Sequence, residues 1–389
     1  MKIAYLIHWN EGPDSGVFKK VLAQAREWRA LQHEPAMYLF TSRSGDEWRE
    51  AEEAGIRIIA ETYRGKLGRQ ARFKVLLAKL RAWQPDIVYH RFDLYYPSLP
   101  RLLREVPSVL EINTNDVAEL VLEKKKSGLR YGYHLLTRRL VLTAPAGFVF
   151  VSGELAEAAP FRRFVEGKAV KVIGNGINLQ QHETTQGNTL PWTDAEAHEA
   201  AGASVESSVR FVFIGSAGQT WHGVDQIAEL AAVKPDWGFD VIGMDRSELA
   251  QPVPDNMHFH GKLLRSRYQP LLDQADIAIG TLALYRKGME EASPLKVREY
   301  LANGLPVITA YRETDFSEPV PFVLQLPNEP GNMVRSLGEI EQFVHAWKGR
   351  RVEREDVRHL DTAVKEAARI EFMERIITSR KRGSEPCPV

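Results

Sequence analysis

The amino-acid sequence predicts an α/β protein with two doubly wound parallel sheets in tandem. Short apolar runs rich in valine and isoleucine recur between turn residues, which is typical of buried parallel strands. Segments with helical spacing of apolar residues separate them, for example Val17 to Trp28. Such alternation of strand and helix indicates a doubly wound sheet. A polar, small-residue stretch over about 181–208 divides the series into two.

Each series contributes its own set of predicted strands. Those of the first are Ile3 to Ile7, Ile56 to Ile59, Ile87 to Tyr89, Val109 to Ile112, Phe148 to Val151 and Val170 to Ile173. Those of the second are Val209 to Gly215, Phe239 to Gly243, Met257 to Gly261, Asp276 to Gly280, Pro306 to Ala310 and Phe322 to Leu326. We therefore expect a first domain over 1–183, a linker over 184–208, a second domain over 209–356, a helix over 357–378 that packs back on the first domain, and a frayed tail over 379–389. Ligands bind beyond the carboxyl ends of such strands, so the two domains are expected to face a central cleft.

Charge and composition exclude some functions. The 389 residues include 51 Lys and Arg and 51 Asp and Glu, so bulk charge does not make this a nucleic-acid binder, and no motif for one is present. The single cysteine, Cys387, forms no intrachain disulfide, and no apolar run is long enough for a signal core or a membrane span. A cytoplasmic location is favoured.

The most informative segment runs from Glu290 to Pro306. Ser293 is a favoured N-cap and Pro294 a favoured first helical residue, whereas Gly304 and Pro306 end the helix. Free amides at a helix start hold phosphate groups, and Lys296 in the first turn adds a positive charge. On spacing alone, a capped helix with solvated charges explains the segment as well.

Two glutamates bracket this predicted anion site. Glu291 precedes the helix, where it can reach sugar hydroxyls, and Glu299 lies within its first two turns, where a carboxylate can accept hydrogen bonds from a ribose diol. The pattern of Glu, seven residues and a second Glu, then a small residue, Gly, any residue and Pro, resembles the donor signature of retaining GT-B glycosyltransferases, particularly family 4. The resemblance implies two Rossmann-like domains and a nucleotide diphosphate sugar as donor, with no separate cofactor. It also implies that Glu291 contacts the transferred sugar, the backbone from Ser293 to Leu295 holds the diphosphate, and Glu299 binds the ribose.

Further segments follow the order of the same family over nearly the whole chain. Ile214-Gly215 resembles the first loop of its nucleotide domain, and Phe259-His260-Gly261 resembles its base-contacting loop. Family members usually carry an Arg and a Lys on the diphosphate where this chain has Ser216 and His222. The diphosphate is then expected to be bound by Lys296, Ser216, the amides around Gly218, and His222 when it is protonated or donating.

In the first domain, loops after the strands supply the candidates. Gly12 and Gly16 allow close backbone approach before a helix, although they do not form the Gly-x-Gly-x-x-Gly fingerprint, and the resemblance places this loop over the donor phosphate and the acceptor. A helix-capping turn explains the same glycines. Asn113 stands roughly where many family members have a His near the donor sugar, and we predict Asn113 and His90 as sugar or acceptor contacts.

The resemblance implies sugar transfer to a hydroxyl of a carbohydrate, a glycolipid or another acceptor, with retained anomeric configuration, in polysaccharide or glycoconjugate synthesis. No metal cage is recognisable, so a metal-independent reaction is expected. The basic stretch 122–140 is compatible with peripheral contact at the inner face of an anionic membrane, or with an ordinary solvated helix face. Because Ser216 and His222 replace the usual Arg and Lys, a catalytically silent GT-B scaffold or partner subunit remains an alternative. A nicotinamide-dependent oxidoreductase is disfavoured, because the chain lacks the Gly-x-Gly-x-x-Gly fingerprint of that class.

Overall fold

A computed structural model describes residues 1–13, 15–43, 48, 55–65, 68–93, 95–123, 128–182 and 209–384. The described chain forms two compact units. The first takes in Met1–Ile177, Glu291–Leu295 and His359–Val389, and the second takes in Asn178–Glu290 and Lys296–Arg358. The predicted linker over 184–208 lies outside the described residues.

The first unit contains a parallel sheet of seven strands in the order β3-β2-β1-β4-β5-β6-β7. The strand order reverses at β1, which pairs with β2 on one side and β4 on the other. This switch point opens the crevice at which doubly wound sheets bind ligands. The strands are β1 (Lys2–His8), β2 (Glu34–Thr41), β3 (Arg57–Thr62), β4 (Ile87–Arg91), β5 (Ser108–Ile112), β6 (Gly147–Phe150) and β7 (Ala169–Val172).

Helices follow most of these strands. The first helix begins at Gly16 because Ser15 adopts an extended conformation and its hydroxyl accepts the Phe18 amide proton. It buries Phe18, Val21 and Trp28 against the sheet. The helices of this part of the chain are α1 (Gly16–Ala30), α2 (Arg69–Trp83), α3 (Leu99–Glu105), α4 (Asp116–Glu123), α5 (Gly128–Leu142), α6 (Gly153–Glu157) and α7 (Ala159–Val165).

The second unit contains a parallel sheet of six strands in the order β10-β9-β8-β11-β13-β15. Its inner face is apolar, with Phe211, Phe213 and Phe239 in one continuous core. The strands are β8 (Arg210–Ile214), β9 (Gly238–Ile242), β10 (Met257–Phe259), β11 (Ile277–Ile279), β13 (Val307–Thr309) and β15 (Val323–Gln325). Two further short strands are β14 (Arg312–Glu313) in this unit and β12 (Glu291–Ala292), which belongs to the first unit. The helices are α8 (Val224–Val233), α9 (Arg265–Gln274), α10 (Leu295–Ala302), α11 (Asn332–Arg335) and α12 (Leu337–Trp347), and a further helix, α13 (Thr362–Ser384), follows in the chain.

Helix α13 belongs to the first unit. Its Glu366 accepts the indole proton of Trp28 at 2.7 Å, and its Phe372 and Met373 join the core of that unit. The sequence predicted an irregular tail from Ser379, but α13 continues to Ser384.

Two predicted strands differ from the observed ones in a physically informative way. The run at 170–173 was expected to be buried, yet β7 is an edge strand with Val170 38% and Val172 39% exposed. The run at 56–59 is the start of a longer strand that ends at Thr62. Within the described residues, no helix is long and apolar enough to cross a membrane.

Candidate active site

In the second unit, Lys296 lies in the first turn of α10 and points its ammonium group into the protein. The Nζ atom lies 4.1 Å from the centroid of the Phe213 ring. It is buried, and no hydrogen-bond partner reaches it among the described residues. Burial lowers the pKa of Lys296 to about 7. The arrangement is therefore a desolvated cation that lacks a protein anion.

His222 is buried beside this lysine, at the end of a short 3-10 helix. Its Nδ1 accepts a long, 3.5 Å hydrogen bond from the Ser216 amide. Burial, with the positive charges of Lys296 and Lys287, lowers the pKa of His222 to about 2. The imidazole is therefore neutral in the protein without ligand, and because Nδ1 is an acceptor, Nε2 carries the proton and can donate.

Glycines shape the loops next to His222. A side chain at Gly215 would meet Phe213, His222 and Met244 within 3.1 Å or less, so close packing requires glycine there. The Gly218 amide donates to Glu248 at 2.9 Å, so this predicted phosphate donor already has an acceptor. The Gly261 carbonyl accepts the Gly243 amide proton at 2.7 Å.

Glu299 lies one turn further along α10. One of its carboxylate oxygens accepts the Tyr268 hydroxyl proton at 2.8 Å, and Arg265 lies 3.9 Å from the same oxygen. The sequence did not single out either partner. The pair orients the carboxylate, whose oxygens have lone pairs for more than one donor.

Glu291 belongs to the first unit, where it caps α6. Its two carboxylate oxygens accept the amide protons of Gly153 and Glu154, each at 3.0 Å, and the Glu154 side chain accepts the Glu291 amide proton at 2.6 Å. Two backbone donors therefore hold this buried carboxylate in a fixed orientation. Sequence reasoning missed this reciprocal contact because the two glutamates are far apart in the chain.

Ser293 makes a contact with Asn175 that the sequence did not predict. Helix α10 begins at Leu295, and the Ser293 hydroxyl oxygen accepts the Asn175 amide proton at 2.7 Å. The Asn175 side chain also donates to the Ser293 carbonyl. Leu295 itself lies near the start of α1, because a side chain at Gly16 would stand 3.8 Å from its Cδ1 atom.

The other first-unit candidates lie at the carboxyl ends of β4 and β5. The Nδ1–H of buried His90 donates to the Leu6 carbonyl at 3.0 Å, and its Nε2 is buried without a partner among the described residues. Burial lowers the pKa of His90, so the ring is neutral and Nε2 is an acceptor. Asn113 accepts a hydrogen bond from Lys20 at 2.9 Å.

The structure thus brings together Gly215, Ser216, His222 and Lys296 in the second unit. In the first unit, Glu291 and Ser293 lie on one short segment, whereas His90 and Asn113 have different partners. Among the described residues, no group of three or more His, Cys, Asp or Glu side chains is arranged to hold a metal ion.

Two family models match the chain. The model described as Glycosyltransferase Family 4 matches residues 15–181, and the model described as Glycosyl transferases group 1 matches residues 208–344. Together with the two parallel sheets, these matches identify the chain as a member of the GT-B glycosyltransferases. The first segment is the one that matches family 4. The matches support glycosyltransferase activity with a nucleotide-sugar donor.

Solved structures share this fold at low sequence identity. A glycosyltransferase from Rickettsia africae ESF-5 has 13% identity and a TM-score of 0.65, over 97% of this chain and 98% of that chain. Anabaena Alr3699/HepE, solved with UDP and glucose, has 16% identity and a TM-score of 0.62, over 96% and 100% of the two chains. WaaG, a glycosyltransferase involved in lipopolysaccharide biosynthesis, has 16% identity and a TM-score of 0.61, over 95% and 99%. No curated protein matches the sequence.

Proposed function

We propose that the protein transfers a sugar from a nucleotide diphosphate sugar to an acceptor hydroxyl, with retention of anomeric configuration and without a metal ion or separate cofactor. The observation that carries the proposal is the buried, unpaired ammonium of Lys296 at the start of α10. A diphosphate would supply the missing anion, and the helix dipole would favour it. Lys296 would then provide the positive charge that offsets the departing diphosphate.

The remaining donor contacts follow from the same helix. Glu299, oriented by Tyr268, would accept hydrogen bonds from the ribose hydroxyls. Neutral His222 would act as a hydrogen-bonding group beside the phosphates, together with Ser216 and the backbone at Gly215, Ser293 and Leu295. Gly261 would lie next to the base of the nucleotide. These roles rest on the family resemblance and, for Gly215, Ser216, His222 and Lys296, also on their proximity within the second unit.

In the first unit, Glu291 would contact the transferred sugar. The amides of Gly153 and Glu154 hold its carboxylate in a fixed orientation, and a carboxylate is a suitable acceptor for sugar hydroxyls. His90 Nε2 would accept a hydroxyl proton in a hydrogen bond, and Asn113 would contact a sugar or acceptor oxygen. Gly16, with only a hydrogen atom as its side chain, would let backbone approach the donor phosphate.

The bond between the anomeric carbon and the diphosphate oxygen breaks. The acceptor oxygen then bonds to the anomeric carbon on the face of the sugar that the diphosphate leaves. A donor phosphate oxygen takes the acceptor proton, so no protein base is required. The enzyme contributes by positioning both substrates and by stabilising the leaving group. Proton NMR of the first product formed should show the donor's anomeric configuration, and an inverted product would contradict retention.

We propose a carbohydrate or glycolipid acceptor and a role in polysaccharide or glycoconjugate synthesis at the inner face of the cell membrane. Helix α5 supports a peripheral membrane contact, because Leu129 and Leu136 are 91% and 75% exposed. With Tyr133 and Leu140 they form one exposed stripe at helical spacing, next to exposed Arg139. The basic residues Lys124 to Lys126 lie outside the described residues. Leu129→Ser with Leu136→Ser should reduce sedimentation with anionic vesicles, whereas Val364→Ser, at an exposed position of α13, should not.

Calorimetric titration with UDP, GDP and ADP and their sugar conjugates tests the donor site. We expect one nucleotide to bind, and Glu299→Ala to weaken that binding strongly. The matched control is Glu339→Ala, which alters a carboxylate on α12 of the same unit. No binding by any nucleotide would favour the silent scaffold, and binding unaffected by Glu299→Ala would remove the ribose role.

A further inference from the structure

A buried charge cluster in the first unit surrounds Glu111 on β5. The carboxylate is fully buried, and three cations approach it: Lys20 at 3.0 Å, and Arg91 and Arg369 each at 3.7 Å. The Tyr5 hydroxyl also donates to it at 3.2 Å. Burial alone would raise the pKa of Glu111, but the three cations outweigh this effect and hold the pKa well below its usual range. Glu111 is therefore ionised throughout the neutral range.

Lys20 has a second partner in addition to Glu111. Its Nζ donates to Asn113 Oδ1 at 2.9 Å, and its side chain is only 6% exposed. An ammonium group has donors and no acceptor, so it can bind only the oxygen side of the Asn113 amide. The contact therefore fixes which way the amide is turned, with the Nδ2 group on the side away from Lys20.

The Nδ2 group of Asn113 is left in an unusual state. It is buried, and no acceptor reaches it among the described residues. Arg91 Nη1 beside the same cluster is also a buried donor without a hydrogen-bond acceptor. Folded proteins rarely leave such donors unsatisfied, and a bound water, ion or ligand is the usual partner where they do. Oxygen atoms of a sugar or of an acceptor are suitable partners.

We propose that Lys20 is a positioning residue for the transfer reaction, which fixes the Asn113 amide so that Nδ2 donates to a substrate oxygen. The substrate contact rests on the function proposed above, whereas the fixed amide is a property of the protein alone. Lys20 is the nearest of the three cations around Glu111, and Arg91 and Arg369 remain beside that carboxylate when Lys20 is replaced. The contact of Lys20 with Asn113 is the one that neither arginine duplicates.

The kinetic test compares Lys20→Met with Lys19→Met, a neighbouring exposed lysine on α1. Lys20→Met should lower kcat roughly 10–100-fold with little change in the donor KM, because a misdirected hydrogen bond disturbs reacting geometry. Lys20→Arg, which keeps a donor, should recover much of the rate, and Lys19→Met should match the wild type. In an Asn113→Ala background, Lys20→Met should have little further effect. Full additivity in this cycle would overturn the positioning role.

A second readout needs no turnover. In protein labelled with [15N]asparagine, the side-chain amide signal that Asn113→Ala removes identifies Asn113. Lys20→Met should shift or broaden this signal, whereas Lys19→Met should leave it unchanged, with thermal unfolding confirming that both variants are folded. An unchanged Asn113 signal in folded Lys20→Met would overturn the proposal. If the wild type binds no nucleotide sugar, the proposed function fails, yet this experiment still decides the role of Lys20.

Discussion

At the scale of single residues, Lys296 is the side chain whose state in the protein calls most clearly for a ligand. A buried ammonium without an acceptor is costly, and proteins tolerate this cost chiefly at functional sites. The contact with the Phe213 ring compensates for only part of the lost hydration. The protein without ligand therefore holds a site that is prepared for an anion.

Lys296→Met should weaken binding of the preferred nucleotide sugar by about 10–100-fold, because charge-assisted hydrogen bonds contribute about 1.5–3 kcal/mol. The variant should remain folded, since methionine fills the space beside Phe213 without an unpaired charge. Calorimetry measures the effect, with exposed Lys262→Met as the control. Equal affinity of Lys296→Met and the wild type would show that the diphosphate binds elsewhere.

Nucleotide-sugar binding should also depend on pH in a defined direction. The pKa of Lys296 is about 7 in the free protein, and a bound diphosphate would raise it. Binding therefore takes up a proton above about pH 7, and affinity should fall as the pH rises, with no contribution from Lys296 well below pH 7. Titrations in buffers of different ionisation enthalpy measure this uptake. Lys296→Arg, which stays charged, should remove it.

At the scale of elements, the turn before α8 depends on Gly223. This residue has a left-handed conformation with φ 73°, and it ends one short helix and begins the next. An added Cβ atom would stand 2.8 Å from the Leu282 Cβ and 3.2 Å from the Ala283 amide nitrogen. The turn that carries His222 therefore packs too closely for any other residue.

Gly223→Ala should lower the free energy of unfolding by about 2–5 kcal/mol, from left-handed strain and overpacking together. Gly288→Ala provides a matched control, because Gly288 has a similar φ of 62° and open space around its Cα. That control should lose only about 1–2 kcal/mol. Denaturant unfolding distinguishes the two, and similar losses would mean that packing at Gly223 is unimportant.

Local patterns predicted the elements better than they predicted the contacts of the site. The class of fold is confirmed, because valine- and isoleucine-rich runs and helical spacing are local signals. The exposure of β7 was missed, since an edge position depends on the order of strands in the sheet. Likewise, the cap of α6 by Glu291 and the contact between Lys20 and Asn113 join distant segments, and no single-sequence pattern encodes them.

At the scale of the whole molecule, the first unit is assembled from both ends of the chain. Arg369 on α13 donates to the Tyr89 hydroxyl at 2.8 Å, pairs with Glu366, and lies 3.7 Å from Glu111. All of these groups are buried, so the core of this unit contains charges that the final helix must supply.

Arg369→Met should destabilise the first unit by about 3–5 kcal/mol, because it leaves buried carboxylates with less compensation. Arg375→Met, on the same helix but 57% exposed, should stay within about 0.5 kcal/mol of the wild type. Unfolding followed by tryptophan fluorescence should report the difference, since Trp28 contacts Glu366. If both variants unfold alike, the cluster contributes little to stability.

The split of the first unit along the sequence also has a consequence for how the polypeptide is made. The ribosome synthesises about 5–20 residues per second, so Met1–Ile177 is made long before α13. For roughly 10–40 seconds, while the second unit is still being translated, Glu111 and Tyr89 therefore lack Arg369. The amino-terminal part of the nascent chain would stay incompletely packed and accessible to chaperones until α13 is translated.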